Sequence, residues 1–128
     1  MMLLSEIREL LSSDVYVGEE HLSETSIKFG CASDLMSDVL AFSRSGAVLL
    51  TGLVNVQTIQ TAFIADISAV VFVRGKRPAD DIISLAKEKR IPVLGTPYSM
   101  YEACGKLYAK GLISTMEPAV SNGFQARI

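Results

Sequence analysis

A chain of 128 residues with a formal net charge of −2 at pH 7 has the length of one ordinary domain, and it carries no basic excess that could neutralise a nucleic-acid backbone. The mean hydropathy is high, at +0.34, yet the clearest apolar runs, 47–50 and 69–73, are much shorter than the roughly 20 residues of a membrane span. We therefore expect strands buried on both faces, and neither nucleic acid nor membrane as a partner.

The N-terminal segment and the cysteines indicate a cytoplasmic protein. Residues 1–13 carry Glu6, Arg8 and Glu9 within their apolar spacing, which is unlike the uninterrupted apolar stretch of a signal peptide. Cys31 and Cys104 are far apart in sequence and form no CxxC pair. They suggest neither a metal ligand set nor a redox motif, so we expect no metal and no cofactor.

The first part of the chain alternates between helical and strand patterns. Apolar spacing predicts a helix over 2–12, strands at 15–17 and 25–29, and a polar loop at 19–24. A second helix is predicted to begin at the capping pair Ser33-Asp34. Its expected inward residues are Leu35, Met36, Val39 and Leu40.

From residue 47 onward, strands and helices alternate regularly. The predicted elements are a strand at 47–50, a helix at 55–65, a strand at 69–73, a helix beginning at Pro78, a strand at 91–94 and a helix at 99–110. The expected inward residues of these helices are Val56, Ile59, Phe63 and Ile64, then Ile82, Ile83 and Ala86, then Met100, Cys104, Leu107 and Tyr108. This order predicts an α/β fold, with a mostly parallel sheet built from βα repeats and helices on both faces.

The domain organisation follows from the same patterns. Residues 1–112 are expected to form a single α/β domain, and 113–128 a C-terminal tail without clear periodicity. A last strand, a partner-binding arm and a disordered end are all compatible with that tail.

Three predicted strands end in polar, glycine-bearing turns, at 51–55, 74–77 and 95–98. The carboxyl ends of parallel strands share one edge of a sheet, where ligands commonly bind, so we expect these turns to lie at one edge and to form a shared pocket. Their amides, hydroxyls and cations suit an anionic or nucleotide-like ligand, although ordinary turn chemistry also accounts for such residues. The candidate ligand-binding residues are Thr51, Gly52, Asn55, Arg74, Gly75, Lys76, Thr96 and Tyr98.

No catalytic motif accompanies this candidate site. The sequence has no phosphate-binding loop, no GxGxxG and no GxSxG elbow. His21, the single histidine, lies in a polar loop and is best interpreted as solvated. Asp34 and Asp38 are four residues apart on the predicted helix, where they could hold a hard cation or serve as a cap and a solvated carboxylate. We assign no catalytic residue.

The stretch 30–112 resembles the DRTGG domain family. The resemblance is carried, in chain order, by 33–40, by Thr51-Gly52 with 57–62, and by 74–78 continued through 91–94 to 96–98. At the name-giving positions this chain has Leu53-Val54 in place of Asp-Arg and 73–75 in place of Thr-Gly-Gly.

The resemblance implies a regulatory role. Members of the family occur beside CBS domains and in front of phosphate acetyltransferase domains, and the fold is similar to the N-terminal domain of HPr kinase/phosphorylase. In those proteins the chemistry belongs to another domain, and the DRTGG-like part is regulatory or dimer-forming. A stand-alone member, as this chain is expected to be, would act through another protein or through its own dimer.

Three functions therefore remain open from the sequence. The leading one is a non-catalytic regulatory or ligand-sensing module, a homodimer that binds a small anionic or nucleotide-like metabolite. The second is a scaffold or accessory subunit of a larger enzyme complex. The third is a small enzyme acting on a phosphorylated substrate that Asn55, Arg74 and Lys76 would bind.

Overall fold

A mostly parallel sheet of six strands organises the computed structural model, which describes residues 1–116. In chain order the elements are β1 (Met2–Leu3), α1 (Leu4–Leu10), β2 (Asp14–Val17), β3 (Ser26–Ile27), β4 (Phe29–Ala32), α2 (Met36–Phe42), β5 (Ala47–Thr51), α3 (Val56–Ile64), β6 (Ala69–Phe72), α4 (Asp80–Lys89), β7 (Val93–Gly95), α5 (Met100–Ala109) and β8 (Ile113–Ser114). The strands of the large sheet are ordered β2-β7-β6-β5-β4-β8.

The pairing confirms the predicted fold class. Strands β4, β5, β6, β7 and β8 pair in parallel, and β2 joins antiparallel to β7 at one edge. Strands β1 and β3 form a separate antiparallel pair. Because β5, β6 and β7 are parallel neighbours, the turns that follow them all leave the same edge of the sheet.

Helices cover both faces of the sheet, as predicted. Along β5, Val48 and Leu50 face α1 and α5, whereas Leu49 faces α2, α3 and α4. All five residues of β5 and all four of β6 are buried, because successive side chains of a strand point to opposite faces and both faces are covered. This double burial explains the continuous apolar runs and the high mean hydropathy.

The predicted inward face of α3 is wrong in part. Ile59 is buried as expected, but Val56 is exposed, and Phe63 and Ile64 keep 52% and 71% of their surface accessible. The helix instead buries Thr58, Thr61 and Ala62 beside Ile59. A threonine can face inward here because the Thr58 hydroxyl donates a hydrogen bond to the Leu53 carbonyl at 2.6 Å.

Other predicted inward positions also differ. Leu35 and Leu40 are exposed, while Met36 and Val39 are buried. In α5, Tyr108 is exposed and Ala103 takes a core position beside Leu107, because the small side chain allows the helix to approach the sheet closely.

Several boundaries also shift. The strand predicted at 25–29 is two strands, β3 and β4, and β4 runs on through Gly30 to Ala32. Helix α2 begins at Met36 rather than at Ser33, whose side chain accepts a hydrogen bond from the Leu35 amide in a turn before the helix. Pro78 precedes α4, which begins at Asp80.

The chain after α5 forms one more strand of the sheet, β8. Strand β8 pairs in parallel with β4, through Phe29 opposite Ile113 and Gly30 opposite Ser114. The first residues of the predicted tail therefore form a last strand, and its remainder, 117–128, lies outside the described residues. No helix in the described part of the chain is long and apolar enough to cross a membrane.

Candidate functional site

The three predicted turns meet at the carboxyl edge of the sheet. After β6, the Arg74 amide donates to the Tyr98 carbonyl at 2.8 Å and the Gly75 amide donates to the Thr96 carbonyl at 2.9 Å. The Lys76 ammonium donates to the Gly52 carbonyl at 2.7 Å, which links the turn after β6 to the turn after β5. The expectation that the turns share one edge is thus confirmed.

A fourth segment, the one after β4, brings Asp34 to the same edge. Its Oδ1 atom accepts hydrogen bonds from the Gly52 amide at 2.7 Å and from the Thr51 hydroxyl at 2.9 Å. The Gly52 hydrogen bond is the main cause that lowers the pKa of Asp34, and the Thr51 hydroxyl and the charges of Arg74 and Lys76 lower it further, against a smaller opposing effect of burial. Asp34 is therefore an ionised carboxylate at neutral pH.

Asp34 was not among the residues predicted for this site. Its spacing from Asp38 indicated a shared helix, but α2 begins at Met36 with Leu35 as its cap residue, so Asp34 precedes the helix. The available signal was position: Asp34 follows β4 as closely as the three turns follow their own strands. Because the predicted strand ended before Gly30, Asp34 did not directly follow a predicted strand, and its position was not recognised as equivalent to that of the three turns.

Gly52 lies in a narrow gap between a cation and a carboxylate. An ideal Cβ atom built on Gly52 would lie 3.1 Å from Nη2 of Arg74 and 3.5 Å from Oδ2 of Asp34. The first distance is tighter than an ordinary van der Waals contact, so a side chain at this position would push Arg74 away. Glycine thus allows both charged groups to face the same point above the main chain.

Arg74 has a backbone conformation that is uncommon for a residue with a side chain. Its φ is +62° and that of Gly75 is +69°, and the Lys76 amide approaches the Val73 carbonyl at 3.4 Å across this turn. The left-handed region costs a residue other than glycine roughly 1 kcal/mol. The hydrogen bond from the Arg74 amide to Tyr98 holds the turn in place.

The cations at this edge are not neutralised by ion pairs. Within residues 1–116, no carboxylate lies within ion-pair distance of Arg74, Lys76 or Arg77. All three side chains belong to exposed residues. The edge therefore offers positive charge beside the hydrogen-bonded Asp34.

Thr96 and Asn55, like Thr51, use their side chains within the fold. The Thr96 hydroxyl is completely buried and donates to the Leu11 carbonyl at 2.6 Å. The Asn55 Oδ1 atom accepts the Thr58 amide at 3.0 Å and so caps α3. Tyr98 is half-buried, and the Lys106 ammonium lies 4.8 Å from the centre of its ring.

Two cavities lie elsewhere in the fold, and neither is lined by Thr51, Gly52, Arg74 or Lys76. One of about 560 Å³ is lined by residues 15–21 together with Lys87, Arg90 and Pro92, and so lies beside β2 and the end of α4. Another of about 270 Å³ is lined in part by Cys31 and Cys104, where burial raises the pKa of both thiols. In the described part of the chain, no group of three or more His, Cys, Asp or Glu side chains is placed to hold a metal ion.

Comparison with known proteins identifies the family. The model of the DRTGG domain matches residues 6–109, which is most of the chain. The chain belongs to the DRTGG domain family. The match begins earlier than the resemblance over 30–112 and includes most of α1 and all of β2.

A solved DRTGG structure has the same fold. It is the regulatory region of Clostridium perfringens pyrophosphatase, with its CBS and DRTGG domains, in complex with the activator diadenosine tetraphosphate. The TM-score is 0.67 at 21% sequence identity, and the match covers 82% of this DRTGG chain and 45% of the pyrophosphatase chain. This chain thus corresponds to less than half of that region. No curated protein matches the sequence.

Proposed function

We propose that this DRTGG domain is a non-catalytic regulatory module that senses a small anionic, nucleotide-like metabolite at the carboxyl edge of its sheet. The observation that carries the proposal is the position of Arg74 and Lys76, which stand among the converging turns without a partner carboxylate in residues 1–116. A planar guanidinium beside an ammonium is a common arrangement for binding phosphate groups.

The hydrogen bonds at the carboxyl edge leave donors that a ligand can use. Lys76 uses one of its three N–H donors on Gly52 and has two left, and Arg74 is an exposed residue. The known neighbour supports the ligand class, because it is a regulatory region whose activator is a dinucleotide polyphosphate. A regulatory role is also what membership of the family implies.

Catalysis is not part of the proposal. Asp34 is held by two hydrogen bonds to its Oδ1 atom, and the single histidine, His21, lines the cavity beside β2 instead of the carboxyl edge. We therefore propose a binding role for the residues at the edge and assign none of them a catalytic role.

We also propose that the domain forms a homodimer. The adjacent helices α2 and α3 carry several exposed apolar side chains, among them Leu40, Phe42, Phe63 and Ile64. Apolar surface of this kind commonly marks a protein interface. Sedimentation equilibrium should give a dimer mass, and Ile64→Lys should shift it to the monomer mass; a monomer for the unaltered protein would contradict this part of the proposal.

A thermal-shift screen tests the ligand proposal. The probes are AMP, ATP, diadenosine tetraphosphate, acetyl phosphate and inorganic phosphate. A ligand that binds only the folded state stabilises it by about 2.7 kcal/mol at a hundredfold excess over Kd. We expect a rise in Tm that Lys76→Ala abolishes, whereas the control Lys87→Ala, which changes the cavity beside β2, retains it.

A screen with no shift would reject the ligand proposal. The exposed apolar side chains would then favour a scaffold or accessory subunit, and co-purification of one partner at fixed stoichiometry would identify that function. A shift abolished by Lys87→Ala and retained by Lys76→Ala would move the binding site to the cavity beside β2.

A further inference from the structure

One oxygen of the exposed Asp34 carboxylate accepts no hydrogen bond from the described residues. Both hydrogen bonds to this side chain, from the Gly52 amide and the Thr51 hydroxyl, end on Oδ1. Within residues 1–116, no donor is hydrogen-bonded to Oδ2. A carboxylate oxygen accepts about two hydrogen bonds, so Oδ2 remains available to a donor from outside the protein.

This oxygen stands beside the cations proposed to bind phosphate. Oδ2 and the Arg74 Nη2 atom lie 3.5 Å and 3.1 Å from the same point, the position of a Cβ on Gly52. The Lys76 ammonium is bound to the carbonyl of that same glycine. The Oδ2 acceptor and the cationic groups of Arg74 and Lys76 therefore all lie close to Gly52.

The carboxylate beside the two cations affects which phosphate ligands the site prefers. A bare anion is attracted by Arg74 and Lys76 but repelled by the ionised Asp34, because like charges at close range raise the binding free energy. A ligand that also carries a hydroxyl offsets this penalty, since the hydroxyl can donate a hydrogen bond to Oδ2. Carboxylates at the carboxyl edge of parallel sheets recognise ribose hydroxyls in this way.

We propose that Asp34 is a specificity-determining residue, which makes the site select ribonucleoside phosphates over phosphates that lack a neighbouring hydroxyl. This inference rests on the proposed function and narrows its ligand class. The two hydrogen bonds to Oδ1 fix the carboxylate beside Gly52, and within residues 1–116 they leave Oδ2 as the carboxylate oxygen that accepts no hydrogen bond.

Isothermal calorimetry with two matched probes tests the inference. AMP and its dideoxy analogue carry the same base and phosphate, but the analogue lacks both ribose hydroxyls. One hydrogen bond to a charged group corresponds to about a tenfold or greater difference in Kd. We expect AMP to bind the unaltered protein at least about tenfold more tightly than the analogue.

Asp34→Asn removes the charge and keeps an oxygen that can accept from Gly52 and Thr51. In this variant the amide group takes the place of Oδ2, so we expect weaker AMP binding, tighter analogue binding and a Kd ratio close to one. Asp38→Asn is the matched control, because Asp38 is an exposed carboxylate that lies on α2. The control should retain the preference for AMP.

The outcomes separate the two proposals. Equal binding of AMP and its analogue by the unaltered protein, with both lost in Lys76→Ala, would overturn the role of Asp34 and leave the proposed function standing. A preference for AMP that survives in Asp34→Asn would also overturn it. Failure of every phosphate-bearing probe to bind any variant would reject both proposals.

Discussion

The Oδ1 atom of Asp34 accepts the backbone N–H of Gly52 at 2.7 Å, which ties the segment after β4 to the turn after β5. A side chain from the segment that follows β4 thereby accepts a hydrogen bond from an amide of the turn after β5. The same carboxylate lies near Arg74 and Lys76. Asp34 therefore both stabilises the turn after β5 and contributes negative charge to the candidate site.

The first prediction concerns the stability of this link. Asp34→Ala should lower the free energy of unfolding at neutral pH by about 1 kcal/mol, a value kept small because the residue is solvent-exposed. The pKa of Asp34 is lowered in the folded state, so its contribution is present above the unfolded carboxyl pKa of about 3.9 and is lost as the pH falls below it. Urea unfolding at neutral and acidic pH measures both effects.

Asp38→Ala serves as the control for this prediction, because Asp38 is an exposed carboxylate in the first turn of α2. It should leave the stability nearly unchanged at both pH values. A loss in Asp34→Ala that stays constant down to acidic pH would contradict the role of the ionised carboxylate.

A second prediction concerns the buried Thr96 hydroxyl. It donates to the Leu11 carbonyl at 2.6 Å and joins the end of α1 to the turn after β7. Thr96→Val leaves that buried carbonyl without a donor and should lower the free energy of unfolding by about 1–3 kcal/mol. Thr96→Ser keeps the hydroxyl and should cost less; a loss in Thr96→Val that is no larger than the loss in Thr96→Ser would contradict the role of the hydrogen bond.

A third prediction concerns the contact between Gly95 and Tyr16. An ideal Cβ on Gly95 would lie 2.8 Å from Cε2 of Tyr16, which is too close for two carbon atoms. Gly95→Ala should therefore lower the free energy of unfolding by about 1–3 kcal/mol through overpacking. In the background of Tyr16→Leu the same change should cost distinctly less, and strict additivity in this double-mutant cycle would refute the contact.

A fourth prediction compares two glycines with open space around them. Within residues 1–116, a Cβ built on Gly105 or on Gly75 would have no atom within 4 Å apart from those of its chain neighbours and its own helix backbone. Gly75 has a φ of +69°, whereas Gly105 lies within α5. Gly105→Ala should stabilise the protein by about 0.5–1 kcal/mol through helix propensity. Gly75→Ala should destabilise it by about 1 kcal/mol, because alanine is strained at positive φ. Thermal unfolding of both variants gives the signs, and equal signs would contradict the prediction.

The sheet could be predicted from the sequence because its central strands are buried on both faces. Continuous apolar runs at 47–50 and 69–73 are typical of such strands, and they are too short to cross a membrane. The helix faces were harder to predict. In α3 the apolar residues surround the helix, so periodicity alone could not show that Thr58 faces the core while Phe63 faces outward.

The position of the site could be predicted from the sequence, because it depends on the order and direction of the strands. Turns after parallel neighbouring strands must lie together, and those after β5, β6 and β7 do. The internal use of the Thr96 hydroxyl depends on a partner 85 residues away in sequence, which no local pattern reveals. Asp34 was missed for a similar reason, because its role depends on where β4 ends and on its pairing with β5.

An amide chemical-shift titration of the isotope-labelled protein with AMP tests the central claim most directly, because it locates binding residue by residue. We predict that the largest shifts occur at Gly52, Gly75 and Lys76 and that Lys76→Ala abolishes them. Shifts concentrated at residues 18–21 and at Arg90, around the cavity beside β2, would contradict the claim, as would a spectrum that AMP and the other phosphate-bearing probes leave unchanged.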